Sequence, residues 1–431
     1  MPLAPERPRF LRLLFSTVHG TTRSIEMDFG RWPGIVAQGA WFDGSSVPGL
    51  SSVNSSDLLL RPIHERPFVQ PWDTRVALVQ CEVCTPTGET HPHDVRGVSK
   101  RVAARAHEMG FSLQAGTELE FYLLKRHEDG SISPVDEGGY LASPPADSAA
   151  SFRREAITTL DALDVPTTSH HHEVGRGQNE IGIAHADFPV AADRVVLARL
   201  TISELAIARG MIATFMPKPF EDLPGNGMHV HHSLWNTKTG ENLFAAENGT
   251  GLSTLAAHYV AGVLEHAPAL TALVASTVNS FRRLRPGFEA PTKIAWGPQN
   301  RTAMIRVPRF TTRRAARVEV RCPDPLCSPH IASAAILAAG LDGIERELEP
   351  PEPSSENLFD GADEYQELPK DLGEAVAALR QDRRIREALG QSLTEYLVEA
   401  GTATWREYCR WTEEEGHRPE AWDMSRYLLA V

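Results

Sequence analysis

The sequence predicts an α+β protein, and three observations carry that expectation. Its 431 residues allow two to four domains at roughly 100–200 residues each, with apolar material enough for a large core. The first hundred residues are short apolar runs broken by Gly, Pro and Ser clusters, as in Trp32-Pro-Gly and Asp43-Gly-Ser-Ser-Val-Pro-Gly, which is the pattern of a small strand-rich domain. Beyond them, strand-like segments alternate with longer helical ones.

In chain order, the strand-rich part ends in the apolar run from Arg75 to Val83. A helix is expected from Val95 to Met109, with Ala and Val on one side and Arg, Lys and Glu on the other, closed by Gly110. Further helices are expected around 147–163, 191–211, 251–275, 330–348 and 373–415. The segment 349–371, rich in Pro, Glu, Ser and Asp, reads as an exposed loop or flap.

Composition excludes several classes. Hydrophobic residues at 42% and charged residues at 23% belong to a globular protein and not to a disordered chain. With 43 Lys+Arg against 56 Asp+Glu the formal charge is −13, which argues against a nucleic-acid binder relying on bulk charge. No stretch approaches the ~18 apolar residues of a membrane span, and the first ten residues lack the apolar core of a secretory signal. Cys81, Cys84, Cys322, Cys327 and Cys409 form an odd, sparse set unlike a disulfide framework. A reducing cytoplasm is the expected compartment.

Chemistry-bearing residues recur at strand spacing, where positions i, i+2 and i+4 share a face. Glu118 and Glu120 share one face of Gly116-Thr-Glu-Leu-Glu-Phe-Tyr-Leu, with Leu119 and Phe121 on the other. His229, His231 and Ser233 share a face, as do Arg317, Glu319 and Arg321. An ordinary amphipathic strand would show the same alternation, but carboxylates crowded on one face repel unless a cation lies between them. Glu173 and Glu180 flank a glycine-bearing turn after His170-His-His, a run that reads more readily as solvated or locally bonded than as a ligand set. This oxygen-rich set favours Mg²⁺ or Mn²⁺ over structural zinc. Arg283, Arg301, Arg306, Arg313 and Arg314 supply side chains suited to carboxylate and phosphate. Neither GxxxxGK[ST] nor GxGxxG is present, so phosphoryl chemistry would run on another scaffold than a P-loop.

These motifs, in this order, resemble the glutamine synthetase family, bacterial type I, over nearly the whole chain. The resemblance rests on Phe42-Asp-Gly-Ser-Ser-Val, Glu118-Leu-Glu-Phe-Tyr-Leu, Glu173 to Glu180, Phe215-Met-Pro-Lys-Pro, Gly225-Asn-Gly-Met-His-Val-His-His-Ser-Leu, Asn279 to Pro291, Asn300 to Pro308 and Arg317-Val-Glu-Val-Arg-Cys-Pro-Asp-Pro. It implies an N-terminal β-grasp-like domain (1–97) and a large catalytic domain on a curved antiparallel sheet (98–431). It also implies a cytoplasmic homo-oligomer, typically a dodecamer, with active sites between subunits and no nucleic-acid or membrane partner. By the same resemblance, Glu120, Glu173 and Glu180 match the ligands of one divalent ion, and Glu118, His229 and Glu319 those of a second. Asn226, Gly227, Arg283, Glu289 and Arg321 match positions around glutamate; His231, Ser233, Arg301, Arg306, Arg314 and Arg317 match positions around ATP. Asp43, Glu289 and Arg301 match catalytic positions, with Asp43 the acid that receives the ammonium proton from a neighbouring subunit.

The implied activity is ATP-dependent formation of γ-glutamyl phosphate, followed by amidation with ammonia. An organic amine, alkylamine or polyamine, is the alternative acceptor, and a retired structural or regulatory oligomer a distant one. A metal-dependent hydrolase built on His229 and His231 would leave the arginines unexplained. Phe359 stands where some bacterial members carry a Tyr modified by adenylylation, and has no hydroxyl to modify.

Overall fold

Strand alternation decides the first sheet. In the computed structural model, which describes residues 8–247, 251–287, 289–359, 364–414 and 417–431, six strands build it: β1 (Phe10–Ser16), β2 (Thr22–Asp28), β3 (Ala40–Asp43), β4 (Asp57–Pro62), β5 (Phe68–Val69) and β6 (Val76–Cys84). Their order is β2-β1-β6-β4-β3, with β5 also on β6. Leu11, Leu13 and Phe15 of β1 point to one side and Leu14 to the other, and all four are buried. A strand apolar on both faces belongs mid-sheet; β1 lies there, antiparallel to β2 and parallel to β6. Leu11, Leu13, Ala77 and Val79 close a small core beneath α1 (Trp32–Gln38), while Leu14, Val76 and Leu78 join the main core.

α2 (Val95–Glu108) is the helix expected there, capped by Asp94 on Gly97 N and followed by Gly110 at φ +88°. Its Val95, Val98 and Val102 pack into the main core. The division expected at 97/98 falls inside its first turn.

The main core lies against a nine-stranded curled sheet. Its strands are β7 (Phe111–Arg126), β8 (Ile132–Pro134), β9 (Thr167–His172), β10 (Gln178–Asp187), β11 (Met211–Thr214), β12 (Met228–Asn236), β13 (Trp296–Pro298), β14 (Ile305–Val307) and β15 (Val318–Val320). The order is β13-β14-β15-β12-β7-β10-β9, with β8 and β11 on β7. Pairing is antiparallel except between β13 and β14.

The remaining helices are α3 (Ala150–Ala162), α4 (Val190–Ala208), α5 (Thr254–Glu265), α6 (Ala267–Val274), α7 (Ser280–Arg283), α8 (Pro329–Glu345), α9 (Leu372–Gln381), α10 (Arg383–Leu389), α11 (Gln391–Glu413) and α12 (Pro419–Tyr427). Two expected helices are broken. The one near 251–275 divides at His266, where Pro268 enters the first turn of α6. The long one at 373–415 divides twice. Asp382 leaves helical geometry and caps α10 on Ile385 N, and Gly390 takes φ +103°. The segment 349–371 is less free than expected. Ser354 N donates to Trp296 O, Leu368 N to Thr292 O, and Leu358 is buried against Ala295 and Ala303; residues 360–363 lie outside the described ones.

Arg199 of α4 clamps the two domains. Its guanidinium is fully buried and donates to the carbonyls of Gly20 at 2.7 Å and Pro325 at 2.6 Å.

Candidate active site

β7 is the spine of the site. Leu119 and Phe121 enter the core, so Glu118 and Glu120 take the opposite face. Register then supplies their neighbours: His229 of β12 stands opposite Glu118, Glu180 of β10 opposite Glu120, and Glu319 of β15 opposite His231.

Two clusters result, each with ligand atoms within 4.8 Å of one another. In the first, His229 Nδ1 lies 2.9 Å from Glu118 Oε2 and 3.8 Å from Glu319 Oε1. The second joins His171, Glu173 and Glu180, with His171 Nδ1 3.4 Å from Glu173 and Nε2 3.2 Å from Glu180. Glu120 lies between them. Its Oε2 accepts from Gly227 N at 2.7 Å and Gln178 Nε2 at 3.4 Å, and His229 Nε2 is 3.9 Å from its Oε1.

Electrostatics differ between the two sides: the carboxylates around Glu120 and Glu173 are short of counter-charge, while those of the first cluster are already paired. Burial, then the charges of Glu173 and Glu180, raise the Glu120 carboxyl well above its usual range. Burial and Glu180 raise Glu173 too. Glu118 goes the other way: burial would raise it, but hydrogen bonds from His229 and His231 hold it well down. Glu319 is fully buried, with Arg306 and Arg321 on its two oxygens. His229, Arg321 and His231 outweigh its burial and bring it down to about 2. A carboxylate-rich donor set with a single imidazole per cluster fits hard divalent cations.

Glu118, His229, Glu173 and Glu180 of these clusters, with Glu120, line a cavity of about 320 Å³ whose walls also include Arg283, Arg321, Arg301 and Glu289. Glu289 is exposed and held at φ +57°, unusual for a non-glycine residue. At Gly227 a Cβ would sit 2.7 Å from Arg283 Nη2 and 2.9 Å from His229 Nε2, a close approach that favours glycine. A second cavity of about 430 Å³ is lined by His231, Ser233, Arg314 and Arg317 among others, and Glu118 belongs to both walls. Arg317 Nε donates to His231 Nδ1 at 3.3 Å, so His231 Nε2–H is left to donate to Glu118 at 3.0 Å.

Several expected residues stand apart from the cavities or are otherwise engaged: Gly227 and Arg306 line neither, with Gly227 N on Glu120 and Arg306 on Glu319. Asp43 is exposed at the end of edge strand β3, where Ser45 N and Oγ donate to it at 2.8 and 2.6 Å. The Asn226 side chain is buried between Met216 O and Gln178 Nε2. The Arg283 guanidinium lines the first cavity while donating to the carbonyls of Arg321, Cys322 and Pro323.

Two family models match. The glutamine synthetase β-grasp domain covers residues 7–86 and the glutamine synthetase catalytic domain residues 92–427. The chain belongs to the glutamine synthetase family. It is 38% identical over 437 residues to a glutamine synthetase of Pyrococcus abyssi, spanning 99% of this chain and 98% of that protein. A glutamine synthetase of Halobacterium salinarum is 40% identical, over 97% of this chain and 93% of its own length. Among solved structures, a GmaS/ADP complex in its conformation 1 superposes with a TM-score of 0.85 at 32% identity, covering 97% of this chain and 96% of that one.

Within this glutamine synthetase fold, the site also holds residues that the sequence expectations did not include, Tyr140 and Gln178 of the first cavity among them, and two are instructive. His171 lies inside the second cluster, and Trp235 lines the second cavity with the Arg314 guanidinium 4.8 Å from its ring centroid. Trp235 Nε1 also donates to Ser233 Oγ at 3.0 Å. Both carried a readable signal. His171 is two residues before Glu173 and Trp235 two after Ser233, the spacing that places side chains on one face.

Proposed function

We propose that this protein is an ATP-dependent ligase that activates glutamate as γ-glutamyl phosphate and transfers the acyl group to ammonia. The observation that carries the reading is the pair of carboxylate–imidazole clusters along β7, with arginines facing them and Glu118 shared by two cavities. Two anionic substrates meeting end to end need a floor of this kind.

Glu118, His229 and Glu319 would hold one Mg²⁺ or Mn²⁺, and Glu120, Glu173 and Glu180, with His171 beside them, the other. When bound, such cations neutralise phosphoryl oxygens and screen the two substrates' mutual repulsion. ATP occupies the cavity of His231, Ser233, Arg314 and Arg317, and glutamate that of Arg283, Glu289 and Arg321, with Asn226 and Gly227 behind its wall on Gln178 and Glu120. A γ-carboxylate oxygen of glutamate attacks the γ-phosphorus, and the bond from phosphorus to the ADP oxygen breaks. Arg301 and Arg306 stabilise the charge that builds up. Asp43 of a neighbouring copy takes a proton from the ammonium ion, because a protonated amine has no lone pair. The free amine then attacks the acyl carbon, the bond to the phosphate oxygen breaks, and the surplus proton on nitrogen leaves with the departing phosphate. Glu289, on its strained backbone at the rim, closes the cavity against water. The exposure of Asp43 on an edge strand suits a homo-oligomer, and the family pattern is a dodecamer in the cytoplasm. Among the described residues, no helix is long and apolar enough to cross a membrane.

A second acceptor class has a specific observation behind it. One similar solved structure is a GmaS/ADP complex, and an organic amine is the alternative acceptor to ammonia. Phosphate release with glutamate, ATP and Mg²⁺ across a panel of ammonia, alkylamines and polyamines decides between them. Activity confined to an organic amine would replace ammonia in the reading, and no release with any amine would end it.

A further inference from the structure

The C-terminal helix reaches the site from behind. Asp423 of α12 is only 2% exposed, a costly burial for a carboxylate unless it is put to use. Its Oδ2 accepts from Asn279 Nδ2 at 2.9 Å and from Arg282 Nε. One donor, Asn279, immediately precedes α7 and the other, Arg282, lies within it; the helix has four residues and ends at Arg283. A helix that short has no stability of its own, since nucleation costs more than one turn returns. Its orientation is therefore imposed from outside.

The imposing contacts converge on Asn279 and Arg282. Asn279 also clasps the backbone of Lys218, accepting from its N–H at 2.7 Å and donating to its carbonyl at 2.9 Å. Arg282 donates to the Tyr408 hydroxyl at 3.2 Å. Behind Asp423, Trp422 packs against Tyr408 and Trp411 at ring separations of 5.7 Å, with the Arg426 guanidinium 3.9 Å from its ring centroid. The next side chain along α7 is Arg283, whose guanidinium lines the cavity.

We propose that Asp423 is a positioning residue for the ligase reaction: through Asn279 and Arg282 it sets the orientation of α7, and so the place of Arg283 on the glutamate side of the cavity. The inference rests on the ligase reading above. Asp423 touches neither cavity, so it acts on substrate only through this short helix.

The test is steady-state phosphate release by the full-length protein and its Asp423→Ala and Asp423→Asn variants, with glutamate and ATP varied separately. KM for glutamate is expected to rise about tenfold in Asp423→Ala while KM for ATP stays within about twofold, with Asp423→Asn intermediate because it keeps one acceptor. Equal rises in both KM values, or a loss of thermal stability with both unchanged, would overturn the proposal. If Asp423→Ala does not fold, Arg282→Gln reports the same arm. It should raise KM for glutamate, and combining it with Asp423→Asn should add little further; independent, additive effects would count against the proposal. A wild-type protein that releases no phosphate with any amine rejects the ligase reading itself, whereas an active wild type with unshifted variants rejects only the role of Asp423.

Discussion

Glu319→Gln separates a metal ligand from a structural acid. The wild-type carboxylate is fully buried, pairs with Arg306 at 2.5 Å and with Arg321, and faces His229 at 3.8 Å. The amide keeps the volume and one acceptor but removes the charge. Breaking a buried pair by removing one partner costs about 3–5 kcal/mol. The lower end applies here, because the Arg306 side chain is 19% exposed and can recover water while Arg321, at 7%, cannot. Folding should therefore weaken by about 3 kcal/mol, within the reserve of most domains. The first cluster also loses one of its two carboxylates, so its Mn²⁺ affinity should fall by about 100-fold, equivalent to about 2.8 kcal/mol. The cluster of His171, Glu173 and Glu180 contains no atom of residue 319 and should keep its affinity. Mn²⁺ titration followed by electron paramagnetic resonance counts both sites, and urea unfolding reads the stability term separately. Two sites of unchanged affinity with undiminished phosphate release would refute the assignment of Glu319 as a ligand.

Other perturbations test the frame. His266 presents Nδ1 to Asp382 at 2.6 Å and Nε2 to Asp342 at 3.1 Å, a geometry that only the doubly protonated ring can satisfy. Burial alone would lower its pKa, but those carboxylates outweigh it and hold the folded value above 6.5. Its contribution is thus fully present below that pH and is lost as pH rises through the folded value. His266→Gln should cost about 1–3 kcal/mol at pH 6 and clearly less at pH 9; equal losses in denaturant unfolding at both would contradict this. Gly262→Ala would place a Cβ 2.1 Å from Ala339 O, where α5 crosses α8. Although alanine favours helices, overpacking should destabilise by about 1–3 kcal/mol, and a rise in melting temperature would disprove the close crossing. Arg199→Met strands the carbonyls of Gly20 and Pro325 and should cost about 3–5 kcal/mol in urea unfolding, whereas a neutral result would mean water replaces the clamp.

Local pattern made much of the site readable and long-range register made the rest. That Glu118 and Glu120 share a face follows from alternation along one strand, and so does the apolar backing by Leu119 and Phe121. Which residue stands beside Glu118 does not, because His229 lies on another strand and reaches it only through the β7–β12 register. Spacing could thus collect the donors without sorting them into clusters. His171 shows the opposite failure. In a run of three histidines, alternation already places His171 with Glu173, and the flanking rings are taken up elsewhere. His170 Nδ1 accepts from Arg153, and the fully buried His172 meets Asp136 at 2.9 Å. Treating the run as one unit hid the one member that faces the site. The merged helix at 373–415 fails for a related reason. Helical periodicity continues in phase across Asp382 and Gly390, and only their capping chemistry marks the breaks. In each case the missed information was carried by a single residue whose role depends on the face or the backbone angle it adopts. A reading that assigns face and cap residue by residue, before averaging over a window, would have placed His171 in the site and ended α9 at Gln381.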